Sequence, residues 1–481
     1  MEDFDTGTIH KRSAQGIVAL VSRAFFLNIL SYIASLVIFT YLDPRDFGIY
    51  IVVIAIQRVI SFFTDFGLGA ALIQKKEKVE QSELSTIFSI QALVTFFMFL
   101  IIFLLRNVIG FYFKLDFKAI RLLLVLVFTI FISSFKIIPS ILLERNIKFH
   151  TLIIPQIAES ITFNAILIFM ILTTKSLDSY SVAFFVSSII SIPIYYYVSP
   201  WKISFGIDRK SLGHLKYGVK FQGKNILATL KDDLLTVFLK VFLSYQQISY
   251  IGFGQRNAFF AYRYIVDSVT KVTFSTYSRI RDDVNMLRKM IEKSLFYVSL
   301  IMFPILIGLI IIAPYIVRYF PNWHNKWEPG VISLIFFSLN ALVSSMSGIL
   351  INVLDASGRV KTTLKLMVLW TILTWVLTYV LILAMGYNGV SIASFIVTLT
   401  IVVTVKLVKQ VVAFDFFKSI YKPLFASFSM GIITYLLSRI YVYNIFTLLS
   451  LIIISGLIYC ITMYFIARRE IFQAAKIILA K

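Results

Sequence analysis

The sequence predicts an all-α polytopic membrane protein of about fourteen transmembrane helices. Hydrophobic residues make up 59% of its 481 residues, more than the roughly half that is usual in soluble domains. They recur in continuous runs of roughly 20 residues, the length that a helix needs to cross a hydrocarbon core of about 30 Å. A transmembrane β-strand alternates polar and apolar residues, and these runs do not. Inside lipid, the other structure that pairs all backbone N–H and C=O groups is the α-helix.

The predicted spans follow one another along nearly the whole chain. The polar segment 1–12 is not expected to be part of a signal peptide, because the apolar run after it is too long, and span one is predicted to remain in the protein. Charge interrupts spans seven and eight. The fourteen spans are 14–40, 47–73, 84–106, 119–142, 151–172, 179–199, 216–244, 248–277, 291–320, 328–354, 361–385, 389–412, 419–440 and 445–467. Prolines, which membrane helices tolerate, lie within them at Pro139, Pro155, Pro193, Pro304 and Pro314.

A faint internal repeat predicts two six-helix bundles. Gln57-Arg58 in span two corresponds to Gln255-Arg256 in span eight, and the short basic loops 143–150 and 354–361 each follow the fourth span of a half. Parallel repeats of this kind occur in transporters. The predicted domains are an N-terminal bundle at 1–199, a cytoplasmic linker at 200–215, a C-terminal bundle at 216–412, and two additional transmembrane helices with a tail at 413–481.

The net charge of +22 has a topological explanation before a functional one. With both termini in the cytoplasm, about 27 of the 46 Lys and Arg residues fall in cytoplasmic segments and about 9 on the other side. This ratio of roughly three to one fits the positive-inside rule. We therefore predict that orientation, and we predict no nucleic-acid partner.

Charges within the predicted spans remain unexplained by topology. A charge at the bilayer centre costs at least ~2.5–3.5 kcal/mol, so these side chains are expected to face water or each other. By depth, Arg23 could pair with Asp65 and Lys136 with Glu159, as structural ion pairs between helices. The cations, as candidates for binding pyrophosphate or an anionic sugar, are Arg23, Arg58, Lys136, Lys220, Lys224, Lys231, Arg256, Arg263 and Lys271. The acids, as candidates for ion coupling or for structural roles, are Asp65, Glu159, Asp232, Asp233 and Asp267.

The helical spacing of these charges predicts shared faces. Lys220, Lys224 and Lys231 fall within about 40° of one another on span seven, at 100° per residue. Arg256 and Arg263 share a face of span eight with Asp267 in the same way. The cations exceed the acids, so the sequence predicts a basic cavity, built mainly from spans one, two, seven and eight, that selects anions such as phosphate.

Catalysis, cofactors and metal are not indicated by the sequence. It has no Gly-rich phosphate loop ending in Lys-Ser/Thr and no Cys/His cluster with metal-ligand spacing. The one cysteine, Cys460, lies in the last apolar run and is interpreted as a buried thiol. Trp323 and Trp327, in a predicted outer loop, are interpreted as an interfacial anchor, with contact to a sugar as the alternative.

Several segments resemble one known family. The stretch 43–78 contains Asp-Pro-Arg-Asp-Phe-Gly-Ile-Tyr and, from Thr64, Thr-Asp-Phe-Gly-Leu-Gly-Ala-Ala-Leu-Ile-Gln-Lys-Lys-Glu. This stretch, the hairpin Leu354 to Lys361 and the segment Asn322 to Pro329 resemble Wzx-type polysaccharide flippases, particularly the colanic-acid and teichuronic-acid exporter branch. The resemblance implies the multidrug/oligosaccharidyl-lipid/polysaccharide exporter fold, with two bundles around a central cavity. It also implies alternating access and an undecaprenyl-pyrophosphate-linked oligosaccharide as substrate.

The resulting hypothesis is a repeat-unit flippase of the bacterial inner membrane, in contact with membrane lipids. It allows further partners, namely a coupling H⁺ or Na⁺ and a polysaccharide polymerase with chain-length proteins. A lipid II flippase and an ion-coupled antiporter of the same superfamily remain alternatives. A membrane polysaccharide polymerase is disfavoured, because the outer loops are short and the longest, 107–118, contains one acid, Asp116.

Overall fold

The computed structural model describes residues 25–64, 72, 79–208 and 229–479, and within them all regular elements are helices. Within these residues, fourteen helices follow the predicted order of spans, and two further short helices, His324–Trp327 and Glu328–Gly330, lie between the ninth and the tenth. The first seven are α1 (Phe25–Tyr41), α2 (Pro44–Thr64), α3 (Gln81–Phe113), α4 (Phe117–Arg145), α5 (Phe149–Thr174), α6 (Asp178–Val198) and α7, a π-helical turn (Leu230–Leu234) continued by Leu235–Phe242. The others are α8 (Tyr245–Ile280), α9 (Val284–Tyr319), α10 (Val331–Ala356), α11 (Val360–Met385), α12 (Asn388–Thr398 with Ile401–Lys409), α13 (Phe416–Tyr441) and α14 (Ile445–Leu479).

Ten of these helices are long and apolar enough to cross a membrane, counted within the described residues. The protein is therefore a multi-pass membrane protein. The four helices outside that set are α1, α2, α7 and α8. They correspond to predicted spans one, two, seven and eight, in which the sequence concentrates its intramembrane charge.

Short polar signals define the helix ends. The side chains of Asp116, Asp283 and Asp415 each accept a hydrogen bond from a backbone N–H in the first turn of α4, α9 and α13. Such N-caps satisfy donors that have no partner within the helix. Lys114 and Lys175 adopt positive φ angles of 52° and 47° directly after α3 and α5, so the chain reverses there.

The chain divides into two compact units, Met1–Ser249 and Tyr250–Lys481, here called unit 1 and unit 2. In unit 1, α4 packs against α2, α3 and α6, and α2 also contacts α7. In unit 2, α9 packs against α10 and α13, and α10 packs against α12. The four-part domain division read from the sequence stays a prediction.

In unit 1, the start of α2 lies against Tyr245, the first residue of α8. A Cβ atom added at Gly48 would lie 1.8 Å from the carbonyl oxygen of Tyr245, so no larger residue fits without movement of the backbone. The hydroxyl of Tyr245 in turn donates a hydrogen bond of 2.5 Å to the carbonyl oxygen of Phe113, at the end of α3. This contact fixes α2 relative to the end of α3.

The segment 201–208, within the predicted linker, is docked on the first turns of α3. Polar side chains on α3 supply hydrogen bonds to its backbone, because a chain without regular structure needs external partners. The bonds run from Gln81 Nε2 to Lys202 O (3.1 Å), from Gly206 N to Ser89 Oγ (3.0 Å) and from Asp208 N to Thr86 Oγ1 (2.9 Å). Trp201 packs edge-on against Phe88 with ring centroids 5.3 Å apart. This part of the linker belongs structurally to unit 1.

Candidate functional site

In unit 1, an ion pair joins two of the charged helices. Nη1 of Arg58 on α2 lies 3.3 Å from Oδ1 of Asp233 on α7. The Arg58 side chain is 61% exposed, whereas that of Asp233 is 19% exposed. The carboxylate is therefore largely enclosed by protein, and most of the guanidinium remains available to another acceptor.

The turn that carries Asp233 departs from α-helical hydrogen bonding. Residues 230–234 form a π-helical turn, and the hydroxyl of Thr236 donates to the carbonyl oxygen of Asp232 at 2.8 Å. π-helical turns are rare and are frequent at functional sites. The adjacent side chains of Lys231, half-buried, and Asp232, exposed, make no hydrogen bond or ion pair within the described residues.

A second ion pair of unit 1 is more deeply enclosed. Nζ of Lys136 on α4 lies 2.7 Å from Oε1 of Glu159 on α5, and the two side chains are 9% and 31% exposed. The pairing predicted from their similar depth is confirmed. Because the ammonium group is buried against its partner, this pair connects two helices and presents little charge to a ligand.

In unit 2, Arg256, Arg263 and Asp267 lie on one face of a continuous helix, as their spacing predicted, and Lys271 lies one turn further along that face. Arg256 is half-buried, and Arg263, Asp267 and Lys271 are exposed. Asp267 lies one turn from both Arg263 and Lys271 and interacts electrostatically with each. We call these four residues the α8 charged face. It has three cations and one carboxylate, so its net charge is positive.

The opposite side of α8 explains why this face stays uncovered. Val266 is fully buried, and Gly348 on α10 leaves room for it, since a Cβ there would lie 3.3 Å from the side chain of Val266. Asn352 Nδ2 on α10 donates to the carbonyl oxygen of Thr270 at 2.6 Å. Packing against α10 therefore fixes the rotation of α8 and turns its charges away from the core of unit 2.

Four of the predicted site residues lie outside the described residues: Arg23, Asp65, Lys220 and Lys224. The predicted pairing of Arg23 with Asp65 and the predicted cationic face of span seven therefore stay predictions. Among the described candidates, the structure brings together Arg58 with Asp233, Lys136 with Glu159, and the members of the α8 charged face.

Two interpretations of single residues were wrong. Trp323 and Trp327 are 2% and 0% exposed and pack against Phe253, with the rings of Phe253 and Trp327 stacked at 4.8 Å. They are therefore core residues of unit 2, and their buried rings can reach neither a lipid interface nor a sugar. Cys460 is exposed on α14, so its thiol is at the protein surface and not in the core.

Sequence reasoning missed two features of unit 1. The contact between Arg58 and Asp233 was not predicted, because the two residues lie on helices that are distant in sequence. The polar positions Gln81, Ser85 and Ser89, spaced by four, signal a second partner for one face of α3. That partner is the segment 201–208.

Comparison with protein families decides the assignment. Residues 37–332, more than half of the chain, match the family described as polysaccharide biosynthesis protein. The chain belongs to this family. The matched region includes α2, α7 and α8, so it contains Arg58, Asp233 and the α8 charged face.

Two relatives of this family member are similar in sequence. The lipopolysaccharide biosynthesis protein WzxC of Escherichia coli (strain K12) is 23% identical over 346 residues, which cover 69% of this chain and 67% of WzxC. An uncharacterized membrane protein in the cps region of Klebsiella pneumoniae is 25% identical over 304 residues, 59% of either chain. The alignment with the second relative therefore covers less than two thirds of its length.

Solved structures share the fold. The lipid II flippase MurJ in an inward closed conformation aligns with a TM-score of 0.75 at 20% identity, over 94% of this chain and 99% of MurJ. An inward-facing multidrug resistance MATE family transporter of the MOP superfamily aligns with a TM-score of 0.62 at 12% identity, over 82% of this chain and 98% of that chain. The predicted exporter fold is confirmed by these likenesses.

Proposed function

We propose that the protein is a flippase that moves an undecaprenyl-pyrophosphate-linked oligosaccharide repeat unit from the cytoplasmic to the outer leaflet of the bacterial inner membrane. The translocation serves surface polysaccharide assembly and proceeds by alternating access. Membership in the polysaccharide biosynthesis protein family and the sequence similarity to WzxC support this function. The MOP fold supplies the transporter architecture.

The observation that carries the proposal is the presence of exposed cations on helices of this membrane fold. Arg58 in unit 1 and Arg263 and Lys271 in unit 2 have exposed side chains well inside α2 and α8. A cation at bilayer depth costs at least ~2.5–3.5 kcal/mol against lipid, so such residues are retained for a polar ligand or a water-filled path.

The chemistry of the substrate fits these cations. A lipid-linked oligosaccharide presents a negatively charged diphosphate next to an apolar tail. Guanidinium groups bind phosphate oxygens through paired N–H donors, and charge-assisted bonds are about twice as strong as neutral ones. We therefore propose these cations as binding elements for the diphosphate, with Arg58 acting within unit 1 and the α8 charged face acting within unit 2, each considered by itself.

The remaining expectations complete this proposal. Both termini are placed in the cytoplasm, as the excess of Lys and Arg on that side predicts. A coupling H⁺ or Na⁺ would use the carboxylates within the helices, of which Asp232, Asp233 and Asp267 are described. A polysaccharide polymerase with chain-length proteins would receive the translocated unit.

A lipid II flippase is the second candidate. Its support is the similarity of fold to MurJ, with a TM-score of 0.75. Lipid II is also a prenyl diphosphate, so the cations do not separate the two candidates. An antiporter of organic cations is disfavoured, since a positive α8 charged face repels such substrates.

The proposal is tested in a bacterial strain whose surface polysaccharide depends on this gene. Arg58→Gln, Arg256→Gln and Arg263→Gln are each expected to reduce surface polysaccharide while the protein stays folded in the membrane. Arg121→Gln is the matched control, because Arg121 also forms an ion pair, with Asp178, but lies in the first turns of α4. Normal export by all three test variants would contradict the assignment. Complementation of a lipid II flippase mutant instead would favour the second candidate.

A further inference from the structure

The contact between Arg58 and Asp233 places an internal carboxylate where a substrate phosphate would bind. Asp233 takes one N–H of the guanidinium, through Nη1, and leaves the other donors of Arg58 unused in this contact. With its side chain 61% exposed, Arg58 is open to an anion from outside the protein. The largely enclosed Asp233 would remain beside that anion.

A carboxylate in this position weakens phosphate binding in two ways. It competes for a donor of the guanidinium, which binds phosphate best through two parallel N–H groups. It also repels the phosphate, because like charges about 5 Å apart interact by roughly 1 kcal/mol in water and more in a less polar site.

We propose that Asp233 is an internal competitor of the substrate diphosphate for Arg58. It holds the guanidinium when the substrate is absent and lowers its affinity for the diphosphate, so that the headgroup is released after translocation. A transport site needs binding that is strong enough for entry and weak enough for exit. This inference rests on the proposed function, since it assumes that Arg58 contacts the diphosphate.

The π-helical turn around Asp233 is the second structural support. The turn Leu230–Leu234 gives Asp233 a position about the axis of α7 that a regular α-helix would not give it. Regularisation of the turn would rotate the carboxylate relative to Arg58. The rotation of the carboxylate relative to Arg58 therefore depends on this turn, of a kind that is frequent at functional sites.

Binding of geranyl pyrophosphate to the full-length protein purified in detergent tests the inference. Asp233→Asn is expected to bind this probe about three- to tenfold more tightly than the wild type, since it removes a charge but keeps the side-chain shape. Arg58→Gln is expected to bind it more weakly. In the Arg58→Gln background, the Asp233→Asn change should have no further effect. Asp233→Ser serves as a second neutral variant if Asp233→Asn is not monodisperse.

The controls separate this contact from general charge effects. Asp232→Asn makes the same charge change at an adjacent position that does not contact Arg58, and its gain in affinity should be smaller. Asp178→Asn breaks a different Arg–Asp pair of unit 1 and should leave the affinity unchanged. Equal gains in affinity for Asp232→Asn and Asp233→Asn would overturn the proposed competition, since a long-range effect of charge would then explain both.

The two levels of the proposal fail in different ways. If Arg58→Gln weakens binding but Asp233→Asn weakens it too, Asp233 orients Arg58, and the competition is contradicted while the proposed function stands. If Arg58→Gln binds geranyl pyrophosphate like the wild type, Arg58 is not a headgroup ligand. The placement of the substrate at Arg58 then fails, and this inference fails with it.

Discussion

Lys136 and Glu159 form an enclosed ion pair that joins α4 to α5, with 2.7 Å between Nζ and Oε1. A buried pair contributes little when it is intact, because desolvation of both charges offsets much of their attraction. Removal of one partner is costly, since it leaves the other charge in a poorly solvated place. The pair therefore specifies how these two helices meet within unit 1.

Breaking this pair should destabilise the protein. Glu159→Gln is expected to lower the free energy of unfolding by about 1–3 kcal/mol, because the Lys136 side chain is 9% exposed and its ammonium group loses its charged partner. The measurement is the apparent melting temperature of the purified protein in detergent. The double variant Lys136→Met/Glu159→Gln should recover part of the loss. Glu328→Gln, in an exposed pair with His324, is the control and should have little effect.

A substitution at Gly48 should disturb the start of α2. Gly48→Ala places a Cβ atom against the carbonyl oxygen of Tyr245, and overpacking of this kind costs about 1–3 kcal/mol. The control is Gly456→Ala in α14, where no atom lies within 4 Å of the added Cβ and the higher helix propensity of alanine should be neutral or stabilising. Equal melting temperatures for the two variants would contradict the close approach of α2 and Tyr245.

The docking of the linker on α3 can be tested by cross-linking. The hydroxyl groups of Ser85 and Ser204 are in hydrogen-bond contact, so cysteines at both positions are close enough for a disulfide. In a Cys460→Ser background, Ser85→Cys/Ser204→Cys should oxidise rapidly within one chain, as seen by a mobility shift after protease cleavage. The pair Ser85→Cys/Ile203→Cys, which uses a neighbouring exposed residue, should oxidise more slowly. Failure of the first pair to cross-link would show that the segment is not docked there.

The α8 charged face predicts opposite effects of opposite charge changes. Arg263→Gln should weaken binding of inorganic pyrophosphate to the purified protein, and Asp267→Asn should strengthen it, because Asp267 interacts with both Arg263 and Lys271. Both effects should shrink as ionic strength rises, since exposed charges are screened. Isothermal titration at low and high salt measures them. Effects of the same sign would contradict an electrostatic role of this face.

The sequence was sufficient for the order of the helices and for relationships within one helix. Continuous apolar runs predicted fourteen spans, and the i, i+7 and i+11 spacing predicted one charged face on α8. The depth of each residue in the membrane, counted along its helix, was enough to pair Lys136 with Glu159. Their helices are joined by a short turn and must therefore be antiparallel neighbours.

Relationships between helices distant in sequence were beyond this reasoning. The partner of Arg58 is 175 residues away, and its rotation depends on a π-helical turn that no periodicity predicts. The burial of Trp323 and the exposure of Cys460 likewise depend on the rotation of each segment about its own axis, which decides the side that packs against a neighbouring helix. Composition gives no information on that rotation in a helix that is apolar all round.

Translocation by the purified protein tests the central claim most directly. Proteoliposomes would contain an undecaprenyl-pyrophosphate-linked oligosaccharide with a fluorescent sugar, under an imposed proton or sodium gradient, and an external quencher would report on the accessible leaflet. With the wild type and with Arg121→Gln, the lipid should move from the protected to the accessible leaflet. With Arg58→Gln the rate should fall by about tenfold or more, as loss of one charge-assisted contact implies. If the lipid stays as protected from the quencher in wild-type vesicles as it does in protein-free vesicles, the proposed function is contradicted.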